Sequence, residues 1–306
     1  MKIAILGGAG AMGGIVGGRL AQAGNAVTLV DVAQTAVDKI NADGLRIDNK
    51  SGDTDTIQVA ATTDPASVGP VDLAIVFVKC YHTESAVQSA APMIGANTAV
   101  LSLQNGWGNA GRIATIVGEE RVLVGVTYHS GTVLGPGHLK HTGIGDTHMG
   151  ELDGTVSERL HRVVDAFNAA GINTIASDDV LTTIWKKLAL NVCTLPASAL
   201  LRFYAHQMVE HEGTLSVMRA LLHEAVAVAH AQEIGLDFDE RWEAITTLLA
   251  RAVGGKASML QDVENKRHTE IDVVNGAIVE AGQRLGIATP YNNSMVWLVK
   301  ALEETF

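Results

Sequence analysis

A glycine-rich segment near the N-terminus constrains the fold more than any other feature of this chain. It reads Gly8, Ala9, Gly10, Ala11, Met12 and Gly13. The segment directly follows an apolar run, Lys2–Leu6, and opens a helical pattern that continues to about Ala23. A G-x-G-x-x-G sequence in this context is typical of a loop that binds a dinucleotide pyrophosphate at a helix N-terminus. The alternative is a turn that is rich in glycine for steric reasons alone.

The three glycines have different expected roles in such a loop. Gly8 permits a tight turn, Gly10 lets the backbone approach the pyrophosphate, and Gly13 allows the helix to pack closely on the strand. All six residues of the segment are therefore predicted to bind a cofactor.

An acidic residue ends the next predicted strand, Ala26–Val30. Asp31 lies roughly twenty residues beyond the glycines, where a carboxylate can accept hydrogen bonds from the adenosine ribose hydroxyls. A 2′-phosphate would meet like charge there, and no Lys or Arg lies nearby between Asp31 and Lys39 to offset it. This favours NAD over NADP. The alternative is an exposed acid at a strand end.

Strand and helix patterns alternate through the first part of the chain, and helical patterns alone follow. The predicted strands are Lys2–Leu6, Ala26–Val30, Leu73–Val78, Ala99–Leu103 and Val122–Tyr128. The first four are almost continuously apolar, as in parallel strands buried on both faces. Antiparallel strands at one sheet edge are expected within Thr132–Glu151. We predict an α/β Rossmann domain with a mostly parallel sheet over residues 1–176.

The remaining residues, 177–306, are predicted to form an all-α domain, with the active site in the cleft between the two domains. Its predicted helices run from Ser177 or Asp178 to about Asn191, and over Gly213–Ile234, Asp239–Val253 and Thr269–Leu285. Gly235 and Gly286 are expected to end two of them.

Composition and charge exclude several classes of protein. The formal net charge is −11 with no run of basic residues, which argues against a nucleic-acid partner. No apolar stretch is long enough to span a membrane. The apolar N-terminal run is rich in glycine and is interrupted by Arg19, so we expect no signal peptide and a cytoplasmic location.

Cysteine and histidine patterns do not predict a metal site. Cys80 and Cys193 are far apart in sequence and are expected to be reduced, small apolar residues. His138, His141 and His148 are irregularly spaced within the predicted antiparallel strands. We expect them to face solvent rather than to bind a metal.

Several further motifs resemble those of one enzyme family. They are Trp185-Lys186-Lys187-Leu188-Ala189-Leu190-Asn191, Ser258–Asp262, Arg267–Gly276, Lys79 after the third strand and Gln104-Asn105-Gly106 after the fourth. Together with the glycine loop they resemble the motifs of the ketopantoate reductase family. They occur in the same order as in that family, and the resemblance covers the whole chain. The resemblance implies nicotinamide-dependent reduction of a small 2-keto acid to a 2-hydroxy acid.

The resemblance also implies roles for individual residues. Lys187 matches the general acid, and Asn105 matches a residue that contacts substrate and cofactor. Asn191 and Ser258 match residues that hold the substrate. Lys79 and Glu270 match residues that line the site and help to place the cofactor. Two departures matter. Members that use NADPH have arginine at the position of Asp31, and members specific for ketopantoate have asparagine at the position of Leu195.

Helical geometry gives some of these assignments independent support. Lys187 and Asn191 are an i,i+4 pair and can face one cleft, whereas Lys186 is turned about 100° away. Reduction of a keto acid needs a proton donor for the carbonyl oxygen, a role that Lys187 can fill. Leu195 lies one turn beyond Asn191 and is expected to line the substrate site, although Pro196 indicates a helix end at about this point.

Two of the implied roles have alternatives. Glu270 is expected to share a helix face with Val274 and to steady Lys187, or to be a first-turn acid after an N-cap at Thr269. Ser258 can bind a substrate carboxylate or cap the turn that follows it.

Other functions stay open from the sequence. The chain can be a D-2-hydroxyacid dehydrogenase that acts on branched or aromatic 2-keto acids, a 3-hydroxyacid dehydrogenase, or an NAD-binding sensor without catalysis. The 3-hydroxyacid dehydrogenase is disfavoured by the motif around Glu270, and the sensor by the retention of Lys187. A homodimer is a possible assembly.

Overall fold

A computed structural model of the chain describes all 306 residues and contains an α/β unit and a helical unit. The first unit comprises residues 1–104 and 109–180, and the second comprises residues 105–108 and 181–306. The predicted fold class, an α/β domain followed by a helical one, is confirmed. No helix in the structure is both long and apolar enough to cross a membrane.

The apolar runs of the first unit form an eight-stranded sheet in the order β12-β11-β8-β7-β6-β1-β2-β5. The strands are β1 (Lys2–Leu6), β2 (Ala26–Val30), β5 (Ala60–Thr62), β6 (Leu73–Val76), β7 (Ala99–Ser102), β8 (Val122–Thr127), β11 (Thr147–Glu151) and β12 (Thr174–Ala176). All neighbours pair in parallel except β8 and β11. The residues of β6, β7 and β8 are buried throughout, which explains their nearly continuous apolar sequence.

A second sheet has the order β4-β3-β10-β9. Its strands are β3 (Leu45–Asp48), β4 (Thr54–Ile57), β9 (Ser130–Gly135) and β10 (His138–Gly143). The prediction that residues 132–151 line one edge of the main sheet is therefore wrong for β9 and β10. It holds for the antiparallel pairing of β11, but β12 is the edge strand. β3, β4, β5 and β12 were not predicted because each is short and none has two adjacent Val, Ile or Leu residues, as the equally short β6 and β7 do.

Five helices belong to the first unit, and six make up most of the second. They are α1 (Ala11–Gln22), α2 (Gln34–Asp43), α3 (Thr83–Ser89), α4 (Asn109–Val117), α5 (Glu158–Ala169), α6 (Val180–Leu201), α7 (Glu212–His230), α8 (Phe238–Arg251), α9 (Ser258–Glu264), α10 (Asn275–Leu285) and α11 (Pro290–Glu303). The helical core contains Trp185, Met218 and Ile278. Cys80 and Cys193 are buried and unbonded to each other, as predicted.

The helix boundaries correct several predictions. α6 continues through Pro196 to Leu201 instead of ending near it. Gly235 lies beyond the end of α7 at His230 and does not cap that helix, whereas Gly286 ends α10 in the left-handed conformation, as expected. The segment predicted as one helix from Thr269 is broken. A 3₁₀ turn at Ile271–Val273 precedes α10.

Candidate active site

The glycine segment forms a tight turn between β1 and α1, but the glycines divide their roles differently from the prediction. Gly7 has φ of +83° and makes the turn, a conformation that favours glycine. A Cβ at Gly8 would lie 2.6 Å from Leu29 Cβ, so Gly8 allows packing on β2. A Cβ at Gly13 would lie 2.2 Å from Gly7 O, which agrees with its expected packing role.

The first turn of α1 fits an anionic ligand. Gly10 is the N-cap residue, and no side chain caps the helix. Gly10 N donates to Gly7 O at 3.1 Å, while the N–H groups of Ala11, Met12 and Gly13 have no acceptor within the chain. Unpaired donors and the positive end of the helix dipole favour a phosphate here. These residues fit the pyrophosphate of a dinucleotide.

Asp31 follows β2 directly, and two backbone amides hold its carboxylate. Oδ2 accepts from Ala9 N at 2.9 Å and Oδ1 from Ala33 N at 3.0 Å. Each oxygen keeps a second lone pair, so the group can still accept from ribose hydroxyls. The next cation in the sequence, Lys39, is ion-paired with Asp43 in its own helix. The carboxylate therefore keeps the capacity to accept further hydrogen bonds.

Two further candidate residues, Lys79 and Asn105, follow β6 and β7 in the sequence. Half-buried Lys79 precedes a 3₁₀ turn at Cys80–His82. Gln104 Nε2 donates to Val78 O and to Thr83 Oγ1, both at 2.8 Å. We did not predict a role for Gln104, although it stands beside Asn105 in the sequence motif. It fixes the chain immediately before that residue.

Residues 105–108 belong to the helical unit, although the chain on both sides of them belongs to the first. Trp107 N donates to Val273 O at 2.8 Å, and the Trp107 and Trp185 rings meet edge-on at 5.4 Å. Gly106 has φ of +86°, and a Cβ there would lie 2.3 Å from Val273 O. Only glycine fits this close approach, which places Asn105 beside α6.

Lys187, Asn105 and Glu270 form a polar cluster in the helical unit, with Lys187 interacting with both of the others. Lys187 Nζ donates to Asn105 Oδ1 at 2.8 Å. The residue keeps partial solvent access, yet burial lowers the pKa of Lys187 to about 8, and the charge of Glu270 opposes this shift. Lys186, one position earlier, instead has Nζ 3.9 Å from Glu240 Oε1. The two neighbouring lysines therefore have different surroundings.

Glu270 lies near Lys187, but not for the reason predicted. It precedes the 3₁₀ turn at Ile271–Val273 and is not in α10, so the argument from a shared helix face is wrong. The alternative role as a first-turn acid is wrong for the same reason. Thr269 Oγ1 accepts from Ile271 N at 3.3 Å, which stabilises this turn. The half-buried carboxylate acts on the ammonium through its charge.

The three predicted substrate residues lie in different surroundings. Asn191 is 8% exposed, and its side chain has no hydrogen bond within the chain. Leu195, also 8% exposed, is part of the helical core one turn further along α6. Ser258 is exposed at the first position of α9. It makes no side-chain hydrogen bond, so the suggestion that it caps this helix is wrong.

The histidines are not all solvent-facing, which corrects one prediction. His141 is buried, and its Nε2 lies 3.0 Å from Nδ1 of His129. Burial lowers the pKa of both rings. His138 Nε2 contacts Asp48 Oδ2 at 2.9 Å. The structure contains no group of three or more His, Cys, Asp or Glu side chains arranged to hold a metal ion.

The mostly parallel sheet, the tight turn at Gly7 and the N-terminus of α1 place the first unit in the Rossmann class of folds, which is typical of dinucleotide-binding proteins. Two family models match the chain: Ketopantoate reductase PanE/ApbA over residues 3–154, and its C-terminal counterpart over residues 179–303. The chain belongs to the ketopantoate reductase family, which is a family of oxidoreductases.

Individual relatives agree with this assignment. A 2-dehydropantoate 2-reductase of Halobacterium salinarum is 32% identical over 293 residues, which cover 96% of each chain. The crystal structure of a PanE/ApbA family ketopantoate reductase from Ralstonia eutropha has a TM-score of 0.92 at 34% identity and covers 100% of this chain and 99% of its own. D-mandelate dehydrogenase with NADH and anilino(oxo)acetate has a TM-score of 0.93 at 29% identity, with the same coverage.

Proposed function

We propose that this protein catalyses the NAD-dependent reduction of a small 2-keto acid to a 2-hydroxy acid. The observation that carries the proposal is the hydrogen bond from Lys187 Nζ to Asn105 Oδ1, with Glu270 close enough to act on the ammonium. The names of the relatives support the reaction, and the NADH-bound neighbour supports the cofactor.

Lys187 is the proposed proton donor. A nicotinamide cofactor, when bound, supplies the hydride for the substrate carbon, and the carbonyl oxygen must then gain a proton. An ammonium with a pKa near 8 releases a proton far more readily than an ordinary lysine, and still carries it at neutral pH. Asn105 Oδ1 accepts one of its three N–H groups, which fixes where the ammonium lies.

The other residues are proposed to orient and bind. Glu270 keeps Lys187 charged before the reaction, because its negative charge opposes the effect of burial. The buried amide of Asn191 can pair with a polar substrate group, since it has no partner in the protein. We assign substrate contacts also to Asn105, Ser258 and Leu195, and cofactor contacts to the glycine segment, Asp31, Lys79, Asn105 and Glu270.

The matched pair of adjacent lysines tests the proposal. Lys187→Ala is expected to lower kcat for 2-keto acid reduction by roughly 10²-fold or more, with a smaller effect on the Kd for NADH, because proton donation acts in the transition state. Lys186→Ala is the control and is expected to be nearly silent. The measurement is oxidation of NADH with a panel of 2-keto acids. Equal activity of the two variants would refute the role of Lys187, and an inactive wild type that binds NADH would favour a sensor.

A second candidate is a D-2-hydroxyacid dehydrogenase that acts on branched or aromatic 2-keto acids. Leu195 and the likeness to D-mandelate dehydrogenase favour it. A leucine offers no hydrogen bond to a hydroxylated substrate, and an unpaired buried hydroxyl costs about 1–3 kcal/mol.

Substrate comparison separates these two candidates. We expect 2-ketoisovalerate or benzoylformate to match or exceed ketopantoate in kcat/KM, and Leu195→Asn to shift the ratio towards ketopantoate. A wild type selective for ketopantoate by about a hundredfold would contradict this second candidate.

A further inference from the structure

Helix α6 contains a proline, Pro196, directly after Leu195 and six residues from the start of the sequence that follows the helix. Pro196 lies five residues after Asn191 and has no backbone N–H, so it cannot donate to the carbonyl oxygen of Val192 one turn earlier. A proline ring in a helix also crowds the carbonyl group four residues earlier. Val192 is fully buried, and water cannot replace the missing donor there. The sequence of α6 therefore leaves a buried backbone acceptor that needs a partner from elsewhere.

Asn275 provides that partner. Its Nδ2 donates to Val192 O at 3.1 Å and to Asn292 Oδ1 at 2.9 Å. The orientation of the Asn275 amide is fixed by these two acceptors, because Asn292 uses its own Nδ2 to reach Leu221 O and Glu224 Oε2. Asn275 Oδ1, in contrast, finds no donor although it is buried. The two N–H groups, not the oxygen, thus explain an asparagine at this fully buried position.

The same short segment holds two other parts of the site. Glu270, which acts on Lys187, lies five residues before Asn275, and Val273 O accepts from Trp107 N in the loop that carries Asn105. Residues 270–275 therefore contact the loop 105–108 at one point and α6 at another. Asn275 is the hydrogen-bonding link of this segment to α6.

We propose that Asn275 is a positioning residue for the reaction: by satisfying Val192 O where Pro196 interrupts α6, it holds Lys187 and Asn191 in place relative to Glu270 and Asn105. It acts through these residues and does not touch the substrate. The expected change in kcat rests on the proposed function, whereas the expected change in the placement of Lys187 relative to Glu270 does not.

The test combines two substitutions and a control. Asn275→Leu removes the donor while it keeps the size of the side chain, and Pro196→Ala restores a backbone N–H that can reach Val192 O. Thr214→Val is the control, since Thr214 is also buried and donates to Met208 O in the same unit. For each variant, kcat and KM are measured, with the free energy of unfolding and the pKa of Lys187. The pKa is followed by NMR of lysine labelled at Cε and assigned with Lys187→Arg.

Asn275→Leu is expected to lower kcat about tenfold, because a small displacement of a proton donor is costly. It should also lower the pKa of Lys187, since Glu270 would be held less closely. Both effects should largely disappear when Pro196→Ala is added. Thr214→Val should lower the free energy of unfolding and leave kcat and the pKa of Lys187 unchanged. Asn275→Ser serves as a milder variant with the same expected direction if Asn275→Leu does not fold.

Two results would overturn the proposal. One is a loss of kcat and a shift of the Lys187 pKa that are equally large with proline or alanine at position 196. The other is a loss of stability in the Asn275 variants with kcat and the Lys187 pKa unchanged, which is the behaviour of a merely structural residue. Because the pKa is measured without substrate, a wild type inactive on 2-keto acids would refute the proposed function and leave this comparison valid.

Discussion

Replacing Lys187 by methionine is expected to make the protein more stable while it removes activity. Burial lowers the pKa of Lys187 from 10.5 to about 8, so the folded state disfavours the charged form. At about 1.4 kcal/mol per pKa unit, this corresponds to roughly 3 kcal/mol at neutral pH. Partial solvent access and the hydrogen bond to Asn105 that the variant loses reduce this value. We expect Lys187→Met to raise the free energy of unfolding by about 1–2 kcal/mol.

The pH dependence of this difference identifies its cause. Between pH of about 8 and 10.5 the unfolded lysine still holds its proton and the folded one has lost it, so the unfolded state binds more protons. The free energy of unfolding of the wild type should therefore rise with pH in this window, relative to Lys187→Met. The advantage of the variant should be largest below pH 8 and should shrink above it.

Urea denaturation followed by tryptophan fluorescence is a suitable assay. All four tryptophans, Trp107, Trp185, Trp242 and Trp297, belong to the helical unit, so the signal reports on the part of the chain that contains Lys187. Lys186→Met is the matched control and should change stability little at any pH. A Lys187→Met variant that is less stable than wild type, or a difference independent of pH, would refute the reasoning.

Two further predictions concern the reaction. NADH should be preferred over NADPH by at least about tenfold in kcat/KM, or about 1.4 kcal/mol, because Asp31 is proposed to accept hydrogen bonds from the ribose hydroxyls and would repel a 2′-phosphate. Asp31→Arg should shift this ratio towards NADPH, and equal kcat/KM of the wild type for both cofactors would contradict the assignment. The rate of 2-keto acid reduction should fall as pH rises through about 8, where Lys187 loses its proton. A rate that stays constant to pH 10 would exclude Lys187 as the proton donor.

The parts of the fold predicted well from sequence are those in which local pattern and tertiary burial agree. β1 and β2 have the predicted bounds because their apolar residues are buried in the centre of a parallel sheet. β3 alternates apolar and polar residues over only four positions, and β4 has a single apolar residue, Ile57, so neither has enough of a pattern to predict a strand. α6 passes through Pro196, where the sequence alone predicts an end, because a side chain 79 positions later replaces the lost hydrogen bond.

The candidate site shows the same division between local and distant information. Helical periodicity predicts the face of α6 on which Lys187 lies. The position of Asn105 directly after a parallel strand marks it as a candidate ligand-binding residue. The contact between Lys187 and Asn105 cannot be predicted from the sequence, since it depends on the packing of Trp107 against Val273 and Trp185. The position of Gly7 as the turn residue was also missed. The motif begins at Gly8, but the positive φ lies one residue earlier.

The placement of residues 105–108 within the helical unit has a consequence for any attempt to divide this protein into fragments. A C-terminal fragment that begins at residue 181 would contain Lys187 and Glu270 but would lack Asn105, and the edge of Trp185 would lose its aromatic neighbour. Lys187, the proposed proton donor, would then lack both its amide acceptor and the loop that carries that acceptor. The helical unit consists of residues 181–306 and, in addition, of residues 105–108, which lie within the sequence of the first unit. A split-protein design that keeps the chemistry must therefore retain this tetrapeptide on the helical side, for example by fusing it ahead of α6.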